Sequence, residues 1–363
     1  MTRLQDLFGQ CGQSPWLDTL SRDALHDGSL QALIERGVRG VTSNPSIFEK
    51  AISGSALYDD DIASHKVAGA SVDDAYWALV MDDIQAAADL LRPLYDESAG
   101  VDGYVSVEID PRLADETAAS VDGGKALFAR ADRPNVMIKV PATAAGIPVI
   151  EELLANGINV NVTLIFSLER YDEVLGAWRR GLERAIADGL TAPHSVGSFF
   201  VSRVDTEVDK RLEEIGSDDA RALRGNVAVA QARVAYDNFA AFVAGDAPRP
   251  VQRPLWASTS TKNPEYPELL YVDTLIGPDT VNTLPEPTLE GFDARGTVAR
   301  TVDADVAGAR GILDQVAAVG VDMDDVAQVL EREGVKAFAD AHEKLLAALG
   351  PKLKAPIDSV PTA

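Results

Sequence analysis

Short runs rich in β-branched and aromatic residues alternate along this chain with stretches whose apolar positions recur every three or four residues. The first run is 15–20. Ser21 then stands where it can cap a helix reaching Glu35, with Leu25, Leu30, Leu33 and Ile34 as its apolar stripe and Gly37 as its stop. The second run, 40–43, halts at Asn44-Pro45, because a residue before proline avoids helical backbone. Ser71 with Asp74 is a capping signal for a helix carrying Trp77, Val80, Ile84, Ala87 and Leu91. The third run, 104–109, ends at Asp110-Pro111. The fourth, 136–140, ends at Pro141 and precedes the helical spacing of Ile147, Val149, Ile150, Leu153 and Leu154. The fifth is 158–165, after which Ser167 caps a helix with Leu168, Tyr171, Leu175, Trp178, Leu182 and Ile186. A sixth run, about 196–201, precedes a long helical region, 205–243. The seventh and eighth are 254–257 and 279–284, and helical patterning fills 302–349.

Strands that alternate with helical connections imply a parallel sheet. Eight such units in this length imply an α/β protein built as a single (β/α)8 TIM barrel, with extra helices at the C-terminus. The expected domain is 1–350, followed by a flexible tail, 351–363, that contains three prolines. No GxGxxG or P-loop motif follows the first run, which removes the usual reason to expect a dinucleotide fold.

Composition narrows the chemistry. The 363 residues hold 33 Lys and Arg against 57 Asp and Glu, a net charge of −24, with an ordinary globular share of apolar residues. So acidic a surface argues against nucleic acid but permits one local cationic pocket for a phosphate. A single cysteine, Cys11, excludes a disulfide framework, and it reads as an ordinary thiol. The four histidines lack metal-ligand spacing, so no metal site is expected. No apolar stretch is long enough for a membrane span, and the first residues lack a signal-peptide core. A soluble cytoplasmic enzyme is the expectation.

In a barrel the carboxyl ends of the strands line the active site. Asp18, Asn44, Glu108, Lys139, Asn161, Thr163, Ser198, Arg203 and Ser258 all fall within or just after the eight runs. Lys139 is the one lysine of ten embedded in an apolar run, between Ile138 and Val140. Burial disfavours the charged amine, and a neutral amine can attack a ketone to form a Schiff base. The alternative is a lysine satisfied by a carboxylate in the barrel core. Asp18 and Glu108 can perform the proton transfers of such chemistry, or one of them can be merely the ion-pair partner of Lys139. Asn44, Asn161 and Thr163 suit a polyhydroxylated substrate, although Asn-Pro is also a common turn initiator. Asn161 and Thr163, two apart on a strand, face one side. Arg203, Ser198 and Lys262 sit near neighbouring strand ends and suit a phosphate. The plainer reading of Arg203 is a surface residue paired with Asp205 or Asp209.

Together, the segments Trp16–Arg22, 40–48, 105–113, 137–143, 157–167 and 198–203 resemble the transaldolase family, in family order and in the longer bacterial form. The resemblance implies a cofactor-free class I aldol mechanism. It moves a dihydroxyacetone unit from sedoheptulose 7-phosphate to glyceraldehyde 3-phosphate and yields erythrose 4-phosphate and fructose 6-phosphate, in the pentose phosphate pathway. It implies Lys139 as the Schiff-base lysine of an IKVPAT motif, Asp18 as general acid/base and Glu108 as the carboxylate that activates water, with Thr163 helping to hold that water. Asn44 and Asn161 would hold the hydroxyls of the three-carbon unit, Ser198 would line the same pocket, and Arg203 and Ser258 would bind the phosphate. One departure stands out. Many members carry an arginine two residues after the serine matching Ser258, and here that position is Ser260. Lys262, two further on, is the expected replacement. Two other functions remain open. One is a plain aldolase on the same scaffold, though the length favours transfer. The other is a non-catalytic barrel that binds sugar phosphates. The partners expected are sugar phosphates, with the chain as a monomer or homodimer.

Overall fold

The apolar runs become eight parallel strands in a computed structural model that describes residues 1–354. They are β1 (Gln13–Leu17), β2 (Gly40–Thr42), β3 (Tyr104–Glu108), β4 (Val136–Pro141), β5 (Val160–Ile165), β6 (Ser195–Phe200), β7 (Arg253–Ala257) and β8 (Thr280–Leu284). They pair in sequence order, and β8 pairs with β1 from Gln13↔Thr280 to Leu17↔Leu284 to close the ring. Every strand residue is buried, because the helices cover the outer face and side chains fill the inside. The fold is thus a (β/α)8 barrel, and none of its described helices is long and apolar enough to cross a membrane.

The helical boundaries depart from the expected ones where glycines intervene. Ser21 does cap a helix, accepting from Ala24 N, but that helix is only Arg22–His26. Gly28 takes left-handed backbone (φ 81°) and Asp27 accepts from Ser29 N, so a second helix, Ser29–Arg36, starts afresh. The expected region 205–243 is likewise three helices, Ser202–Ile215, Asp218–Ala222 and Val227–Phe242, broken first at the left-handed Gly216. The first strand begins at Gln13 rather than at residue 15, because a helix absent from the sequence reading, Arg3–Cys11, precedes it. Thr2 and Gln5 form its capping box, and Leu4 and Leu7 are fully buried.

The ring is pinned at its amino-terminal end by a buried carboxylate. Asp102 is 0% exposed and meets Arg39 at 2.6 Å, Arg253 at 3.1 Å, Ser14 Oγ at 2.8 Å and Trp16 Nε1 at 3.2 Å. A buried charge is tolerated because two guanidiniums and two neutral donors satisfy it.

The chain ends, as described, in a long helix, Met323–Lys354. It continues past the expected boundary at 350, while 355–363 of the expected tail lie outside the described residues. Its buried stripe is Val326, Leu330, Gly334, Phe338, His342, Leu345 and Leu349. That stripe lies on the helices Pro45–Gly54 and Val72–Glu97 and on β5, which carries it across the carboxyl-terminal end of the barrel.

Candidate active site

The carboxyl ends of the strands surround a cavity of about 380 Å³. Of the expected site residues, Asp18, Asn44, Lys139, Thr163, Ser198, Arg203, Ser258 and Lys262 line it. Glu108 and Asn161 do not. They flank Lys139 in the sheet register, Glu108↔Lys139↔Asn161, and face the same side of the barrel.

Lys139 and Glu108 are each about 5% exposed. The Lys139 ammonium lies 3.1 Å from Glu108 Oε2 and donates to the Ser43 carbonyl at 2.9 Å. Lys139 thus has the carboxylate partner of the plainer reading, and it also lines the cavity. Burial pushes the Glu108 carboxyl above its usual range, against the opposing pull of the Lys139 charge. Apart from that ion pair, neither Glu108 oxygen has a hydrogen-bond partner among the described residues, and the buried Thr163 Oγ1 has none.

Asp18 follows β1, and its N–H donates to the Leu284 carbonyl of β8 at 2.8 Å. Its carboxylate accepts from Thr42 Oγ1 at 2.7 Å, a partner the sequence reading missed, and Thr42 Oγ1 also meets Thr283 Oγ1 at 2.6 Å. Burial raises the Asp18 carboxyl above its usual range. The Lys139 charge, the Thr42 hydroxyl, Arg203 and Lys262 oppose that rise. One carboxyl is thus within electrostatic reach of every cation that the sequence analysis assigned here.

Asn44 starts a helix and also faces the cavity. Its Oδ1 accepts from Ile47 N and caps the helix Pro45–Gly54. Asn161 is instead held inside the barrel: its Nδ2 donates to Ser106 Oγ at 3.0 Å, and its Oδ1 accepts from Ser198 Oγ at 2.7 Å. It fixes Ser198, which lines the cavity. Ser106 was missed because a serine within an apolar strand looks like any core hydroxyl.

The far wall is cationic. The alternative for Arg203 does not hold, because Asp205 accepts from Ala228 N and Tyr271 OH, and Asp209 from Gly225 N and Tyr266 OH. Those carboxylates staple the helix Ser202–Ile215 to its neighbours. The Arg203 guanidinium instead lies 5.0 Å above the Phe200 ring. Burial lowers its proton affinity, and the same burial, together with the Arg203 charge, lowers that of Lys262. The Lys262 ammonium donates to Ser260 Oγ at 2.6 Å, so the charge is delivered at the departure position itself. Ser258, with left-handed backbone (φ 56°), meets Ser202 Oγ at 2.8 Å. Two cations and several hydroxyls on this wall thus face one cavity in an acidic molecule, an arrangement that suits an anion.

A family model described as Transaldolase/Fructose-6-phosphate aldolase matches residues 15–349. A protein of Mycobacterium tuberculosis H37Rv named Transaldolase is 49% identical over 347 residues, 92% of this chain and 93% of its own. One of Frankia alni with the same name is 49% identical over 354 residues, 94% of this chain and 95% of its own. Transaldolase 1 of Streptomyces coelicolor is 50% identical over 357 residues, 95% of this chain and 93% of its own.

Proposed function

Because the chain belongs to the transaldolase/fructose-6-phosphate aldolase family, we propose that it is a transaldolase that passes a dihydroxyacetone unit between sugar phosphates through a Schiff base on Lys139. The observation that carries this reading is the Lys139 nitrogen at the cavity, 3.1 Å from the buried Glu108 carboxylate and within electrostatic reach of Asp18.

The amine adds to the ketone carbon of sedoheptulose 7-phosphate, and water leaves to give a protonated imine. Glu108 and Thr163 serve the water that departs here and returns at the end. Asp18 takes the proton of the hydroxyl at C4, and the C3–C4 bond breaks. Its electron pair passes to the imine nitrogen, leaving an enamine and free erythrose 4-phosphate. The enamine carbon then attacks the aldehyde of glyceraldehyde 3-phosphate, and Asp18 returns the proton to the new hydroxyl. Water cleaves the imine and frees fructose 6-phosphate. Asn44 and Ser198, the latter fixed by Asn161, hold the three-carbon hydroxyls. Arg203, Ser258 and Lys262 hold the phosphate.

Borohydride reduction with fructose 6-phosphate, then peptide mapping, tests the reading. A three-carbon adduct confined to Lys139 is the expected result, and no adduct on a folded protein would overturn it. Omitting the acceptor separates transfer from the family's other activity: a transaldolase stalls, whereas an aldolase keeps releasing dihydroxyacetone.

A further inference from the structure

Transfer needs something the reacting residues do not supply. The enamine must outlive the departure of one aldehyde and the arrival of another. If its carbon takes a proton, water adds to the resulting imine and the C–N bond breaks, freeing dihydroxyacetone and the amine. Beside Lys139 stands a residue from outside the eight barrel units. Phe338, on the helix Met323–Lys354, lines the cavity and is 6% exposed. The Lys139 nitrogen lies 5.7 Å from its ring centroid, within range for a ring face to favour a cation.

The helix is keyed in place one turn earlier. At Gly334 an added Cβ would stand 2.8 Å from Leu164 Cδ2. Leu164 directly follows Thr163, takes left-handed backbone (φ 60°), and lies where the register of β5 against β6 shifts. A bulge in β5 thus turns the Leu164 side chain onto the helix, and the bare backbone of Gly334 accepts it. Four residues on, on the same helix face, Phe338 meets the cavity. Leu330, Leu345 and Leu349 anchor the same stripe independently.

We propose that this helix is part of the active site: Phe338 is the apolar wall beside the Lys139 nitrogen, and it keeps water from the bound three-carbon unit so that the unit is passed on rather than released. The inference rests on the transaldolase reading above. Gly334 is a positioning residue that acts through Phe338.

The test compares three variants with the wild type for transfer rate, for acceptor-free release of dihydroxyacetone, and for borohydride trapping on Lys139. The wild type must trap and transfer; failure there overturns the transaldolase reading itself and not the role of Phe338. Phe338→Ala should still trap, while its ratio of release to transfer rises about tenfold, the order of effect when a desolvated ring contact is lost. Phe338→Leu restores apolar bulk without the ring and should recover most of the wild-type ratio. Gly334→Val should mimic Phe338→Ala, and pairing it with Leu164→Ala should reverse the effect. An unchanged ratio in a Phe338→Ala protein that traps on Lys139 would overturn the proposal. So would a parallel fall of release and transfer, which marks a purely structural role.

Discussion

At the residue scale, the site is a set of buried charges whose neighbours decide their protonation. Asp18 shows the balance best. Burial favours its neutral form, and the Thr42 hydroxyl is one of the groups that hold it ionised. Cleavage needs the ionised form to accept a proton, so activity falls as pH drops through this group's pKa. Thr42→Val removes a stabiliser of the anion and raises that pKa. The acid limb of kcat should therefore move to higher pH than in the wild type, as a pH–rate profile for cleavage would show. Lys262 makes a second case. If its ammonium at Ser260 grips the phosphate, Lys262→Ala should raise KM for fructose 6-phosphate about tenfold with kcat nearly unchanged, the loss of one charge-assisted contact. Wild-type affinity in that variant removes Lys262 from the site. Such residues were legible to different degrees. Lys139 stood out because a charge inside an apolar run is expensive. Thr42 and Ser106 did not, because a strand hydroxyl carries no mark of what it faces until the ring closes.

At the element scale, the strands were legible and the breaks between helices were not. Period-two and continuous apolar runs located all eight strands to within a few residues, since burial on both faces leaves a strong compositional trace. The helical region 205–243 hid its breaks, because Gly216 and Gly225 sit among residues that otherwise keep helical spacing. The C-terminal helix was expected, but not its place over the mouth. Its seat includes an oddity: His342 is 0% exposed, its two ring nitrogens have no hydrogen-bond partner among the described residues, and it stacks edge-on against Tyr76. Burial lowers its pKa, with Asp110, Asp73 and Glu343 opposing and Arg112 assisting. The ordinary value near 6.5 applies to the unfolded chain. Stability is therefore full above that pH and is lost as pH falls below it, because the unfolded state takes up the proton first. His342→Phe keeps the ring stacking without the titration. Its melting temperature should fall less than that of the wild type between pH 7.5 and 5.5. His194, lowered to about 4 by burial, loses stability across the same range in both proteins, so the difference between them is the measurement. Equal falls would show that His342 does not titrate in its seat.

At the scale of the whole molecule, an acidic barrel sets two cations, Arg203 and Lys262, into the lining of its cavity. Many other arginines are paired with carboxylates, as in Arg22 with Asp83 or Arg36 with Asp293. If Arg203 and Lys262 take the phosphate, the strong negative charge of the rest sets their pocket apart as a place to which an anion is drawn. The sequence revealed the charge and the two cations. It did not reveal Phe338, whose role depends on a contact across nearly two hundred residues, beyond the reach of any local pattern.

That separation also orders the molecule's own assembly. The ring closes only when Leu284 reaches Leu17, and the covering helix seats on a bulge in β5. Contacts between such distant segments form late, because the entropy of closing the loops is spent before the contacts reward it. With Phe338 as the wall, the ring that holds the nucleophile and the roof over it both depend on such distant contacts.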